Sequence, residues 1–145
     1  MSAPETVLAF DFGLKRIGIA SGDTLTRGAA ARPAAVSGAA GPDWTAIARE
    51  VHALRPARLI VGAPYNTDGS EGPMMAAARA FAAELERRFA LPVHLVDERF
   101  SSLEATAALR EQRASGTRRR RVSKADIDSA AAAVILGRFL AGEGN

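Results

Sequence analysis

The sequence predicts an α/β fold, and three observations lead there. Residues 7–10 and 17–20 are short apolar runs on either side of a turn at residues 13–15, the pattern of a β-hairpin. A helical pattern over residues 44–54 is followed by the buried-strand run Leu59-Ile60-Val61, and a strand, a crossover helix and a strand give a parallel pair. An alanine-rich helical stretch, residues 73–89, then leads into a further strand run from Pro92 and a last helix from Ser123. At 145 residues with 48% hydrophobic content, residues 1–145 read as one domain with a sizeable core.

Within the hairpin the odd residue is Asp11. A lone carboxylate at the end of a buried strand costs several kcal/mol unless it is paired or protonated. Either Asp11 caps the turn through its own backbone, or it faces a bound divalent ion, which removes that cost. Ser21-Gly22-Asp23 reads as a turn, and residues 29–36 as a third strand that Pro33 assigns to an edge. Asp43 is placed to cap the helix that starts at Trp44, with Ile47, Val51 and Leu54 on one face and Pro56 ending it.

The strand at residues 59–62 opens into a long loop, residues 62–72, rich in turn formers. Such loops hold ligands in α/β folds, because the following helix N-terminus offers free amide donors. No Gly-Lys-Ser/Thr follows, so the loop is not a P-loop. The strand from Pro92 ends in Asp97-Glu98-Arg99, a second group of charge at a strand end, and Ser101 with Glu104 reads as a capping box for a helix to about Arg113. Residues 114–122 form a basic loop. Its four consecutive arginines, Arg118, Arg119, Arg120 and Arg121, repel one another, stay solvated and suit phosphate contacts.

The last helix has Ser123 as cap and Asp126 as its capping-box partner. Asp128, Ala132, Ile135 and Phe139 share one helix face, and three of the four are apolar. Either the spacing aims Asp128 inward near the first turn, or Asp128 merely favours the helix dipole there.

Three carboxylate positions stand out: Asp11, Glu98 (or Asp97) and Asp128. Hard oxygen donors without a cysteine suit Mg²⁺ or Mn²⁺ rather than zinc. His52 and His94 have no second histidine at ligand spacing and are read as structural. A carboxylate cluster beside basic groups is what two-metal phosphodiester hydrolysis needs, with Lys15, Arg16 or Arg99 holding the flanking phosphates. The formal charge of +3 and the sequence pI of about 10.2 point the same way, toward nucleic acid.

The four stretches Asp11-Phe12-Gly13-Leu14-Lys15-Arg16-Ile17-Gly18-Ile19-Ala20, Val61-Gly62-Ala63-Pro64 with Asn66-Thr67-Asp68-Gly69-Ser70, Asp97-Glu98-Arg99-Phe100-Ser101 and Ile127-Asp128-Ser129-Ala130-Ala131-Ala132 together resemble the YqgF/RuvX family. The resemblance runs over nearly the whole chain, with the motifs in order. It implies a ribonuclease H-like fold: a five-stranded mixed sheet, strands one to three antiparallel, with helices on both faces. It implies that Asp11, Glu98 and Asp128 are the catalytic, metal-holding acids, with Asp97 the alternative to Glu98, since a one-residue slip changes which side chain faces the site. It also implies an Mg²⁺/Mn²⁺-dependent nuclease of structured nucleic acid, acting on the 5′ end of 16S ribosomal RNA precursors or on branched, Holliday-junction-like DNA. Around the loop proline this chain reads Gly-Ala-Pro-Tyr, where the family more often has leucines.

Two other readings share the fold. Actin-like and sugar-kinase ATPases have a similar first hairpin, but they close two such domains on ATP, and 145 residues hold one. A noncatalytic RNA-binding module would gain nothing from anions at its binding face. No run of about 18 apolar residues and no signal-peptide pattern is present, and cysteine is absent, so a cytoplasmic address without a membrane partner is expected. Cutting two strands of a junction symmetrically requires a homodimer, whereas a single cut requires only a monomer.

Overall fold

Side-chain alternation along one strand sets the layers of the molecule. The computed structural model describes residues 4–64, 68–97, 109–110 and 123–142. In β1 (Thr6–Phe12), Leu8 and Phe10 point to one face and Val7 and Ala9 to the other, and all four are fully buried. A strand buried on both faces needs a covering layer on each. On the Leu8 side the cover is α1 (Trp44–Leu54) and α2 (Met75–Phe89), through Ile47, Val51, Phe81 and Leu85. On the Val7 side it is α3 (Lys124–Leu140), through Ala132, Ile135 and Leu136.

β1 sits inside the sheet. It pairs antiparallel with β2 (Arg16–Asp23), which pairs antiparallel with β3 (Ala29–Gly38). On its other side β1 pairs parallel with β5 (Arg58–Ala63), and β5 pairs parallel with β6 (Val93–Asp97). The two-residue β4 (Gly41–Pro42) pairs with the end of β3 and completes the order β4-β3-β2-β1-β5-β6. The five principal strands, the antiparallel first three and the two helix layers follow the expected arrangement. The sixth strand is an addition of one short bridge.

Local chemistry explains the boundaries. The β2–β3 register shifts between Ile17 and Ile19, opposite the segment that carries Pro33, so the proline sits at an irregularity where no regular ladder bond is lost. Asp43 caps α1 by accepting from the Ala46 N–H at 3.1 Å. The helix ends where Arg55 turns left-handed at φ 47°, one residue before Pro56. α2 has no side-chain cap, and the loop before it is tied down by Glu71, which accepts from Arg79 through both carboxylate oxygens at 2.8 Å. His52 packs edge-on against Phe89 and His94 against Phe139, the structural positions expected of them. Among the described residues, no helix is long and apolar enough to cross a membrane.

Candidate active site

Asp11 lies one residue before the end of β1. By alternation it shares the face of Val7 and Ala9, the face covered by α3. Its register partner on β2 is Gly18. The second turn of α3 sits directly on that glycine: a Cβ at Gly18 would stand 2.0 Å from the Asp128 carbonyl oxygen and 2.8 Å from the Ser129 N. Ser129 Oγ accepts from the Ile19 N–H at 3.4 Å and fastens the helix to the strand. β1, β2 and α3 thus bring Asp11 and Asp128 to one corner of one face.

The start of α3 is set by its capping box. Ser123 Oγ accepts from the Asp126 N–H at 3.1 Å, and Asp126 Oδ2 accepts from the Ser123 N–H at 2.9 Å. Asp126 therefore has the structural role expected of it, and Asp128 is left to face the sheet. The fully buried stripe of α3 runs through Ser129, Ala132 and Leu136, with Ala131 and Ile135 beside it. Asp128 stands at the rim of that stripe and is half-buried, so the helix is turned slightly from the face that the spacing of Asp128, Ala132, Ile135 and Phe139 suggested.

Arg16 occupies the same corner. Its Nε donates to Asp128 Oδ2 at 2.7 Å, with both side chains about one-third exposed. Lys15 is exposed at the tip of the hairpin turn, and its carbonyl accepts from the Ser37 N–H at 2.9 Å. The turn is tight enough that a Cβ at Gly13 would meet the Arg16 carbonyl oxygen at 2.7 Å. A shallow hollow of about 410 Å³ opens here, bordered by Lys15, Arg16 and Asp128. Two somewhat larger hollows hold no comparable chemistry. The carboxylate bordering one, Asp23, is held by the Thr26 N–H and hydroxyl, and the one bordering the other, Asp126, serves the helix cap.

Asp97 falls on the other face. Along β6, Val93 packs with the α1/α2 side and Val96 with the α3 side, so alternation gives Asp97 to the side away from Asp11 and Asp128. Glu98, Arg99 and Arg118, Arg119, Arg120 and Arg121 lie outside the described residues, as do Ser101, Glu104 and residues 65–67 of the long loop. Among the described residues, no three His, Asp or Glu side chains converge on one metal position. The two carboxylates that the register brings to this corner are hard oxygen donors, a type that fits Mg²⁺ or Mn²⁺.

Reading the sequence residue by residue placed Arg16 at the site but missed its carboxylate partner, and it missed the role of Gly18. The role of Gly18 was readable in principle, because Gly18, Ala20 and Gly22 put small residues at every second position of β2, a seat for a closely packed helix. The pairing of Arg16 with Asp128 spans 112 positions and has no local signal.

A family model described as "RuvX: Holliday junction resolvase" matches residues 5–142. A "Putative pre-16S rRNA nuclease" of Xanthomonas campestris pv. campestris (strain B100) is 50% identical over 137 residues, covering 93% of this chain and 86% of that protein. A protein of the same name from Xanthomonas axonopodis pv. citri (strain 306) is 49% identical over 138 residues, with 94% and 87% covered. Among solved structures, T. thermophilus RuvC in complex with a Holliday junction substrate superposes with a TM-score of 0.53 at 16% identity, over 95% of this chain and 94% of that one. The yeast mitochondrial Holliday junction resolvase Ydc2 gives a TM-score of 0.51 at 10% identity, over 92% and 77%. At these identities the two structures establish the fold.

Proposed function

The chain belongs to the RuvX family of nucleases, and on that premise we propose that it is a cytoplasmic, divalent-metal-dependent enzyme that trims precursor 16S ribosomal RNA. The observation that carries the proposal is the seating of α3 on Gly18, which sets Asp128 beside Asp11 on one face of the sheet. Two carboxylates at such a corner repel each other, and a divalent cation bound between them would relieve that repulsion beyond what Arg16 does for Asp128.

Asp11, Asp128 and Glu98 would hold Mg²⁺ or Mn²⁺. Glu98 is assigned in preference to Asp97 because Asp97 belongs to the opposite face. When bound, a metal pair supplies activation of water and neutralises charge on the leaving oxygen. The chain's own residues do the rest. Asp11 and Asp128 fix the site to the sheet and the second turn of α3, so these two acids do not depend on a loop for their position. Lys15, exposed at the hairpin tip, holds a phosphate of the substrate beside them. Arg99 and residues 118–121 extend that contact along the backbone.

Precursor ribosomal RNA is favoured over a four-way junction because the relatives that share half of this sequence carry that name, while the junction-cutting structures share the fold alone. A single RNA cut also requires only one active site, so a monomer suffices. Purified protein with Mn²⁺ is incubated in parallel with a leader-bearing 16S fragment and with a synthetic four-way junction. Cleavage of the leader fragment at one position is expected. Cleavage of the junction alone would overturn the choice of substrate, and cleavage of neither would overturn the activity.

A further inference from the structure

Arg16 was expected to hold phosphate, yet its guanidinium is committed to a carboxylate. Arg16 Nε lies 2.7 Å from Asp128 Oδ2, and the pair is only about one-third exposed. Arg16 and Gly18 are two residues apart on β2, so they share the face on which α3 sits. Among the described residues, the same corner therefore brings the Arg16 guanidinium together with Asp128 and Asp11. We propose that Arg16 is a positioning residue: it sets the Asp128 carboxylate before a divalent ion binds, and it competes with that ion for the carboxylate. The proposal rests on the reading of Asp11 and Asp128 as metal holders.

The geometry and the charge lead to opposite effects of removing Arg16. Nε is one prong of a planar, directional donor fork, so losing it frees the orientation of Asp128. Removing it also removes a positive charge beside the carboxylate, which makes the corner more attractive to a divalent cation. A variant without the guanidinium should then bind metal more tightly and use it less well. A phosphate-holding arginine would behave differently: substrate affinity would fall and metal affinity would stay the same. An arginine with only a structural role would lower the melting temperature and move neither.

The test is Mn²⁺ binding to the full-length chain, followed by loss of the free-ion electron paramagnetic resonance signal, for wild type, Arg16→Gln, Arg16→Lys and Asp128→Asn. Melting temperatures confirm that each variant is folded. Arg16→Gln is expected to bind Mn²⁺ roughly three- to fivefold more tightly, the size of coupling that partly exposed ion pairs reach. Arg16→Lys keeps the charge without the fork, so it should bind Mn²⁺ as wild type does while its cleavage rate falls. If Asp128→Asn binds Mn²⁺ as well as wild type, the metal reading of the site fails, and this proposal with it. If Asp128→Asn loses affinity but Arg16→Gln binds no more tightly than wild type, the site stands and the role given to Arg16 is wrong.

Discussion

The Asp128 carbonyl oxygen occupies the space where a side chain at Gly18 would begin: a Cβ there would stand 2.0 Å away. Real Cβ atoms do not come so close to backbone, so Gly18→Ala forces α3 off the sheet. Overpacking of this kind costs about 1–3 kcal/mol. Urea unfolding of Gly18→Ala should show that loss, and Mn²⁺-dependent cleavage should fall with it, because the displaced turn carries Asp128. Gly18→Ala with wild-type stability would mean that the helix is not seated there.

The four arginines at positions 118–121 make a separate prediction. Replacing them with alanine should weaken binding to the leader fragment and flatten its salt dependence, by a slope of about one in log K against log salt for each phosphate no longer neutralised. An unchanged slope would remove this segment from the nucleic-acid interface.

Asp23 provides a pH marker at the far end of β2. Hydrogen bonds from the Thr26 N–H, and then from the Thr26 hydroxyl and the Leu25 N–H, hold its carboxyl below the usual aspartate range. A carboxyl depressed in the folded state contributes stability that is complete above its unfolded value and is lost as pH falls through the folded one. Acidification should therefore loosen the turn after β2 only below the usual aspartate range, and an NMR titration of the Asp23 carboxyl should show a midpoint below that of a free aspartate. In Asp23→Asn this acid-dependent component should disappear, with no effect on cleavage.

The ATPase reading of this fold predicts that ATP with Mg²⁺ raises the melting temperature by mass action. No shift is expected at saturating ATP, and a clear rise would favour nucleotide binding over nucleic-acid cleavage.

Much of this architecture was legible in the chain. The hairpin showed as two apolar runs around Gly13, the parallel pair as strand, helix and strand, and the start of α3 as Ser123 with Asp126, each set by neighbours within a few residues. Asp11 and Asp128 could be singled out because a carboxylate on an apolar strand or helix face is costly to leave unexplained. What could not be read depends on packing between distant segments. The closeness of Gly18 to α3 and the Arg16–Asp128 pair arise across more than 100 positions, and no local propensity encodes them. The face on which Asp97 lies depends on strand parity, which only the packing of Val93 and Val96 on opposite faces shows.

The most direct test of the account is the Mn²⁺-dependent cleavage rate of Asp11→Asn, Asp128→Asn and Asp126→Asn on one RNA substrate, with the melting temperature of each metal-free protein. Asp11→Asn and Asp128→Asn should lose cleavage while remaining folded. Asp128→Asn gives up its pairing with Arg16, which at this exposure costs up to about 1 kcal/mol. Asp126→Asn should weaken the helix cap by about 0.5–1 kcal/mol and keep the wild-type rate. A wild-type rate in folded Asp128→Asn, or loss of cleavage in Asp126→Asn alone, would contradict the assignment of Asp11 and Asp128 as one metal-holding catalytic pair.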